Sequence, residues 1–71
     1  MKRLSGAKPG YTYRLIWFIG EAAQFVKNIF SLEENSFVRI ISNAGDGAVI
    51  FAFRDRRIAL SGDVAGRIII D

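Results

Sequence analysis

A chain of 71 residues, half of them apolar and none of them Cys, makes one small domain whose core no disulfide can brace. Its formal net charge of +3 permits attraction to acidic partners without requiring it. No stretch approaches the roughly 18 apolar residues of a membrane span, and the first residues lack the apolar region of a signal peptide, so we expect a cytoplasmic domain spanning 1–71.

The N-terminal part predicts an opening loop and then a strand. Lys8-Pro9-Gly10 is a turn signal, because Pro fixes φ at one central position and Gly supplies a positive φ at the next. The stretch YTYRLIWFI, 11–19, is rich in aromatic and β-branched residues and is typical of a strand. Alternation puts Trp17 on one face with Tyr13 and Leu15, which predicts a place for it in an aromatic core.

Residues 21–30 change period and predict about three turns of helix. Four apolar residues recur at the spacing of one helical face: Ala22, Phe25, Val26 and Ile29. Glu21 at the start and Lys27 near the end suit the helix dipole. We expect the apolar face to plug one end of a barrel and to be buried there.

The rest of the chain predicts four more short strands. Segments 37–42 and 48–54 flank the hairpin signal Asp46-Gly47. A tight turn at Asp55-Arg56 then leads into a fourth strand, 57–60. The final strand lies in the closing segment RIIID.

Two polar residues predict local backbone features. Asn35 suits a left-handed position, because Asn tolerates a positive φ better than most residues. Ser61 suits the N-cap of a single helical turn that has Asp63 in its first turn. The predicted fold is mainly β: a small SH3-like barrel of about five strands with one inserted helix and a short helical turn near the C-terminus. Closing the strands into a barrel removes exposed edges.

The order of these signals resembles the FeoA family of small SH3-like domains over nearly the whole chain. The matching pieces, in order, are Leu4, Lys8-Pro9-Gly10, Gly20, Phe30-Ser31-Leu32, Asp46-Gly47 and the ending RRIALSGDVAGRIIID. One loop departs from the family pattern. Phe30-Ser31-Leu32 and Glu34-Asn35 stand where the family usually has Leu-Gly-Leu and then a Pro-Gly turn.

The resemblance implies a non-enzymatic accessory or regulatory domain of bacterial ferrous-iron uptake. It implies protein–protein contact with the cytoplasmic part of FeoB, the membrane GTPase that carries ferrous iron, and contact with the membrane only through that partner. A monomer without cofactor or nucleic acid is expected. Because the same barrel occurs in metal-dependent repressors, the alternative is a small-barrel nucleic-acid-binding or transcription-regulator domain.

Catalytic and metal-binding residues are sparse. The chain has no His and no Cys, so its serines lack an imidazole base and ferrous iron lacks its usual His ligand. The carboxylates fall in turns and helix starts, where capping and solvation explain them. Glu33 and Glu34 are adjacent and would point apart in an extended segment. We therefore predict no catalytic residue and no metal site.

The charged cluster in FAFRDRRIAL is one candidate surface. Arg54, Arg56 and Arg57 flank a predicted turn and form a basic patch in combination with Arg14, Lys27 and Arg39. A solvated hairpin is the favoured interpretation, an acidic protein partner comes next and nucleic acid last. A nucleic-acid reader usually adds exposed aromatics for stacking, and here the aromatics fall at positions compatible with a core.

The helix end and the loop after it are the other candidate surface. The predicted partner-binding residues are Lys27, Phe30, Leu32, Glu33, Glu34 and Asn35. If Phe30 or Leu32 is exposed, it is an apolar anchor inside a polar rim. The sequence is equally compatible with both residues closing the end of the barrel.

Overall fold

Six antiparallel strands and two helices make up the fold in the computed structural model, which describes residues 1–71. The strands are β1 Lys2–Arg3, β2 Thr12–Phe18, β3 Phe37–Asn43, β4 Val49–Phe53, β5 Arg56–Leu60 and β6 Ile68–Ile70. The helices are α1 Gly20–Ile29 and α2 Gly62–Ala65, and a 3₁₀ turn covers Leu4–Gly6. The predicted SH3-like fold, with one inserted helix and a short helical turn near the C-terminus, is confirmed.

The strands lie in the order β1-β6-β2-β3-β4-β5, and every pairing is antiparallel. All five predicted strands are present. The structure adds one strand that was not predicted, β1, because a strand of two residues shows no alternation of apolar and polar residues. The expected full closure is wrong, since β1 and β5 end the strand order and do not pair with each other. Strand β5 therefore keeps one free edge.

One apolar core lies inside the curved sheet. It contains sixteen buried residues, and every one of them is apolar. Alternation supplies them from each long strand, as with Val49, Phe51 and Phe53 of β4. Phe18, Phe51 and Phe53 are the largest fully buried side chains. Each such side chain stabilises the fold by about 1.5–3 kcal/mol relative to an exposed one.

A β-bulge in β2 reverses the expected placement of Trp17. Leu15 pairs with Ile70 and Trp17 with Ile69, so β2 has one more residue than β6 between these pairs. The extra residue lets Leu15 and Phe18 both point into the core. Trp17 then points outward and is 55% exposed, so the prediction that it joins an aromatic core is wrong.

The local backbone predictions largely hold. Asn35 has a φ of 72°, and the Ser61 hydroxyl accepts a hydrogen bond from the Val64 amide at 3.4 Å. Both features are confirmed. The tight turn of the β4–β5 hairpin is Arg54-Asp55, one residue earlier than predicted, because Phe53 pairs with Arg56. Arg54 has a φ of 56°, a conformation that usually selects glycine at this place in a two-residue turn.

Candidate partner-binding surface

Helix α1 turns a different side to the core from the one expected. Ala23 is fully buried and Val26 packs against the core, whereas Phe25 is 63% exposed and Ile29 is 54% exposed. The Gln24 amide donates a hydrogen bond to the Phe18 carbonyl at 2.9 Å, which ties the first turn of the helix to the end of β2. The prediction that the whole apolar face is buried is therefore wrong for three of its four members.

These three residues form what we call the α1 apolar patch: Ala22, Phe25 and Ile29, all exposed. They follow one another at i, i+3 and i+7, so they lie along one side of the helix. The sequence pattern predicted that all three side chains are buried, and in the structure they are exposed. Ala23, Val26 and the C-cap residue Phe30 form a second apolar stripe, displaced by one residue from the first. Periodicity alone does not choose between two overlapping stripes.

The loop after α1 places the two predicted anchors differently. Leu32 is 3% exposed and belongs to the core, so it cannot serve as a surface anchor in this structure. Phe30 is half-buried against the core. The sequence also allowed both side chains to close the end of the barrel. Leu32 does so completely, and Phe30 does so in part.

Backbone geometry holds this loop in a defined path. The Leu32 amide donates to the Lys27 carbonyl at 2.9 Å, and the Asn35 amide donates to the Leu15 carbonyl at 2.6 Å. Ser31 takes a positive φ of 55°, which ends the helix and turns the chain. The loop is thus fastened both to the helix before it and to β2.

The tip of the β4–β5 hairpin meets this same loop. Arg54 and Glu33 form an ion pair at 2.6 Å, and the Arg56 guanidinium donates a hydrogen bond to the Phe30 carbonyl. The Arg54 guanidinium also lies 4.9 Å from the centroid of the Phe53 ring. Two surfaces that were separate candidates in the sequence are therefore one continuous surface.

Arg57 does not belong to this surface. It pairs with Ala52 of β4, which in turn pairs with Arg39 of β3, so Arg57 and Arg39 lie on the outer face of the sheet. The predicted cluster Arg54, Arg56 and Arg57 is thus divided. Two of its members contact the loop, and the third faces outward elsewhere.

The two glutamates of the loop are engaged separately. Glu33 pairs with Arg54, and Glu34 lies 3.8 Å from the Lys27 ammonium. No group of three or more carboxylates, His or Cys lies close enough together to hold a metal ion. No helix is long and apolar enough to cross a membrane.

Comparison with solved structures finds this architecture elsewhere. A crystal structure described as that of an iron uptake regulatory protein, FeoA, superimposes with a TM-score of 0.82. The match covers 96% of this chain and 92% of that chain, at 21% sequence identity. The chain has a FeoA-like fold. No family model and no curated protein matches the sequence.

Similarity at 21% identity establishes the shared fold alone. On this FeoA-like fold, the loop 30–35 and the hairpin tip form one continuous surface, and the helix that leads into this loop exposes the α1 apolar patch. The margin of the loop and hairpin tip carries both signs of charge: Lys27, Glu33, Glu34 and Arg54. That arrangement can hold another protein.

Proposed function

We propose that this chain is a non-enzymatic accessory domain of bacterial ferrous-iron uptake. In this proposal it binds the cytoplasmic part of a FeoB-type transporter through the α1 apolar patch and the loop 30–35. The FeoA-like fold supports the link to iron uptake, because the matching structure is described as an iron uptake regulatory protein. The exposure of Phe25 and Ile29, one helical turn apart, is the observation that supports protein binding.

Phe25 and Ile29 have the character of interface anchors. Large apolar side chains near the centre of a contact supply most of its free energy when a partner removes them from water. Burying an exposed Phe or Ile side chain completely is worth about 1.5–3 kcal/mol. Two such side chains on one helix face suit a groove in the partner, with i and i+4 as the points of contact.

The charged margin contributes orientation more than affinity. The pair Arg54–Glu33 is exposed and the pair Lys27–Glu34 is partly exposed, and ion pairs in contact with water add only about 0–1 kcal/mol each. They hold the loop and the hairpin tip in one arrangement before a partner arrives. A rim that is already ordered loses less conformational entropy on binding.

The test is a titration of the isotope-labelled domain with the cytoplasmic region of the transporter from the same organism, followed by NMR. We expect shift changes in residues 22–35 and at the tip of the β4–β5 hairpin. Phe25→Ala should weaken binding by about tenfold or more, since truncating an anchor costs roughly 2 kcal/mol. Because Phe25 is exposed, the variant should keep the spectrum of the folded domain.

Tyr11→Ala is the matched control for this titration. Tyr11 is 60% exposed and precedes β2 at the end away from α1, so its loss should leave the affinity unchanged. Equal weakening by Phe25→Ala and Tyr11→Ala would remove the α1 apolar patch from the interface. If a saturating concentration of the transporter region causes no shift change, the proposed partner is wrong.

A further inference from the structure

The outer face of the sheet carries two arginines without an acidic partner. Arg39, Ala52 and Arg57 form one cross-strand row over β3, β4 and β5. Both arginines are exposed, and none of the chain's ion pairs includes either guanidinium. Ala52 between them is too small to cover either side chain. The row is a basic surface free to take carboxylates, which Arg binds in a bidentate manner.

An apolar cavity lies beside this row. It has a volume of about 300 Å³ and is lined by Ser42, Asn43, Ala44, Ala48, Val49, Ile50, Ala59 and Leu60. Ile50 and Ala59 are cross-strand partners, and each is two residues along its strand from the arginine row. Two residues of a strand span about 6.8 Å. An apolar side chain in the cavity and a carboxylate at Arg57 can therefore belong to alternate residues of one extended segment.

The edge of β5 supplies the third element. The hairpin turn has two residues, so Phe53 and Arg56 exchange backbone hydrogen bonds across it. Alternation then directs the backbone groups of Arg57 and Ala59 away from β4. β5 has no second neighbour in the sheet, and neither residue makes another backbone hydrogen bond. Their amides and carbonyls lie on the free edge.

We propose that this edge of β5 binds an extended acidic segment of another protein by adding it to the sheet as a further strand. An apolar side chain of the segment enters the cavity beside Ala59, and a carboxylate two residues away pairs with Arg57. Arg39, two strands further in, adds longer-range attraction. The surface lies apart from the α1 apolar patch, and the inference does not depend on the proposed transporter.

Charge and composition favour this occupant. A second copy of the chain would add its own net charge of +3 to a basic edge. Nucleic acid would need aromatic side chains on which bases stack, and the cavity is lined without any. Phe37 is exposed on the same face, on the far side of the arginine row from the cavity. If nucleic acid binds here, we expect its NMR shift changes to centre on Phe37.

The probe is a short synthetic peptide, Thr-Val-Thr-Asp-Thr, in which valine and aspartate lie two residues apart on one face of an extended strand, titrated into the isotope-labelled domain. We expect NMR shift changes at the amides of Arg57 and Ala59 and at the cavity residues. The analogue with asparagine in place of aspartate should bind about two- to fivefold more weakly. Two further peptides carry N-methyl groups on complementary sets of alternate amides. Only one set faces β5, so one of these peptides should bind and the other should not.

Variants of the domain locate the contact. Arg57→Gln should weaken peptide binding by about two- to fivefold, as expected for an exposed charge pair. Arg67→Gln is the matched control, since it removes an equal charge at an exposed site outside β5 and should leave the affinity unchanged. Equal effects of both variants, equal binding of the asparagine analogue, or no shift at about millimolar peptide would overturn the proposal. So would tighter binding of oligothymidine with shifts centred on Phe37.

Discussion

Arg54 and Glu33 form an ion pair, with Nη2 2.6 Å from Oε1, that joins the β4–β5 hairpin to the loop after α1. Both side chains are more than 60% exposed, so water and salt weaken their attraction. A double-mutant cycle with Arg54→Gln and Glu33→Gln should give a coupling free energy of about 0.2–1 kcal/mol in urea denaturation. A cycle of Glu33→Gln with Arg67→Gln should give none. A coupling that persists unchanged in high salt would contradict the exposed geometry.

Trp17 and Phe18 are sequence neighbours with opposite environments. Phe18 is 1% exposed, and Phe18→Ala should cost about 3–5 kcal/mol, which is comparable with the whole stability of a chain this small. The circular dichroism spectrum of the Phe18→Ala variant should be that of a largely unfolded chain. Trp17→Ala should cost less than about 1 kcal/mol, because the side chain is mostly in water. A large loss of unfolding free energy in Trp17→Ala would show that the β2 bulge lies elsewhere in the strand.

Leu32 and Ile29 lie on either side of the end of α1 and differ in burial. Leu32→Ala should lower the free energy of unfolding by about 2–5 kcal/mol, since it leaves a cavity in the core. Ile29→Ala should change it by less than about 1 kcal/mol, because the isoleucine is 54% exposed. Thermal and urea denaturation measure both changes. Equal losses would mean that α1 buries the face first expected from its periodicity.

Gly62, at the start of α2, leaves no room for a side chain. A Cβ at this position would lie 2.6 Å from the Asp46 carbonyl oxygen, which belongs to the backbone and cannot rotate away. Gly62→Ala should therefore destabilise the fold by about 1–3 kcal/mol, the usual cost of overpacking. Gly6→Ala is the control, since nothing lies within 4 Å of the corresponding Cβ. A Gly62→Ala variant with unchanged melting temperature would show that the turn and α2 can separate.

Local rules were enough for much of the fold. Asn35 and Ser61 were placed correctly because a positive φ and an N-cap depend on the residue and its immediate neighbours. The strands 37–43 and 49–53 were found because one face is buried and the pattern alternates cleanly. Features that depend on neighbouring residues, or on a strand with one buried face, can therefore be predicted from the sequence.

The surfaces needed the three-dimensional structure. Trp17 changed sides because a bulge adds one residue, and a bulge has no reliable sequence signal. α1 has two apolar stripes, and only its packing on the sheet shows that Ala23 faces inward. The contact between Arg54 and Glu33 joins residues far apart in the chain, so the continuity of loop and hairpin was not predictable.

The position of β6 also has a consequence for how the domain forms during synthesis. Ile68 and Ile70 are fully buried, and their strand lies between β1 and β2, so it separates two elements made much earlier. Arg14 and Asp71 exchange backbone hydrogen bonds of 3.0 Å that extend this contact. Until residue 71 has left the ribosome, β2 lacks its partner on one side and the core lacks two isoleucines. Folding should therefore complete only after β6 has emerged from the ribosome, with unpaired strands exposed to chaperones until then.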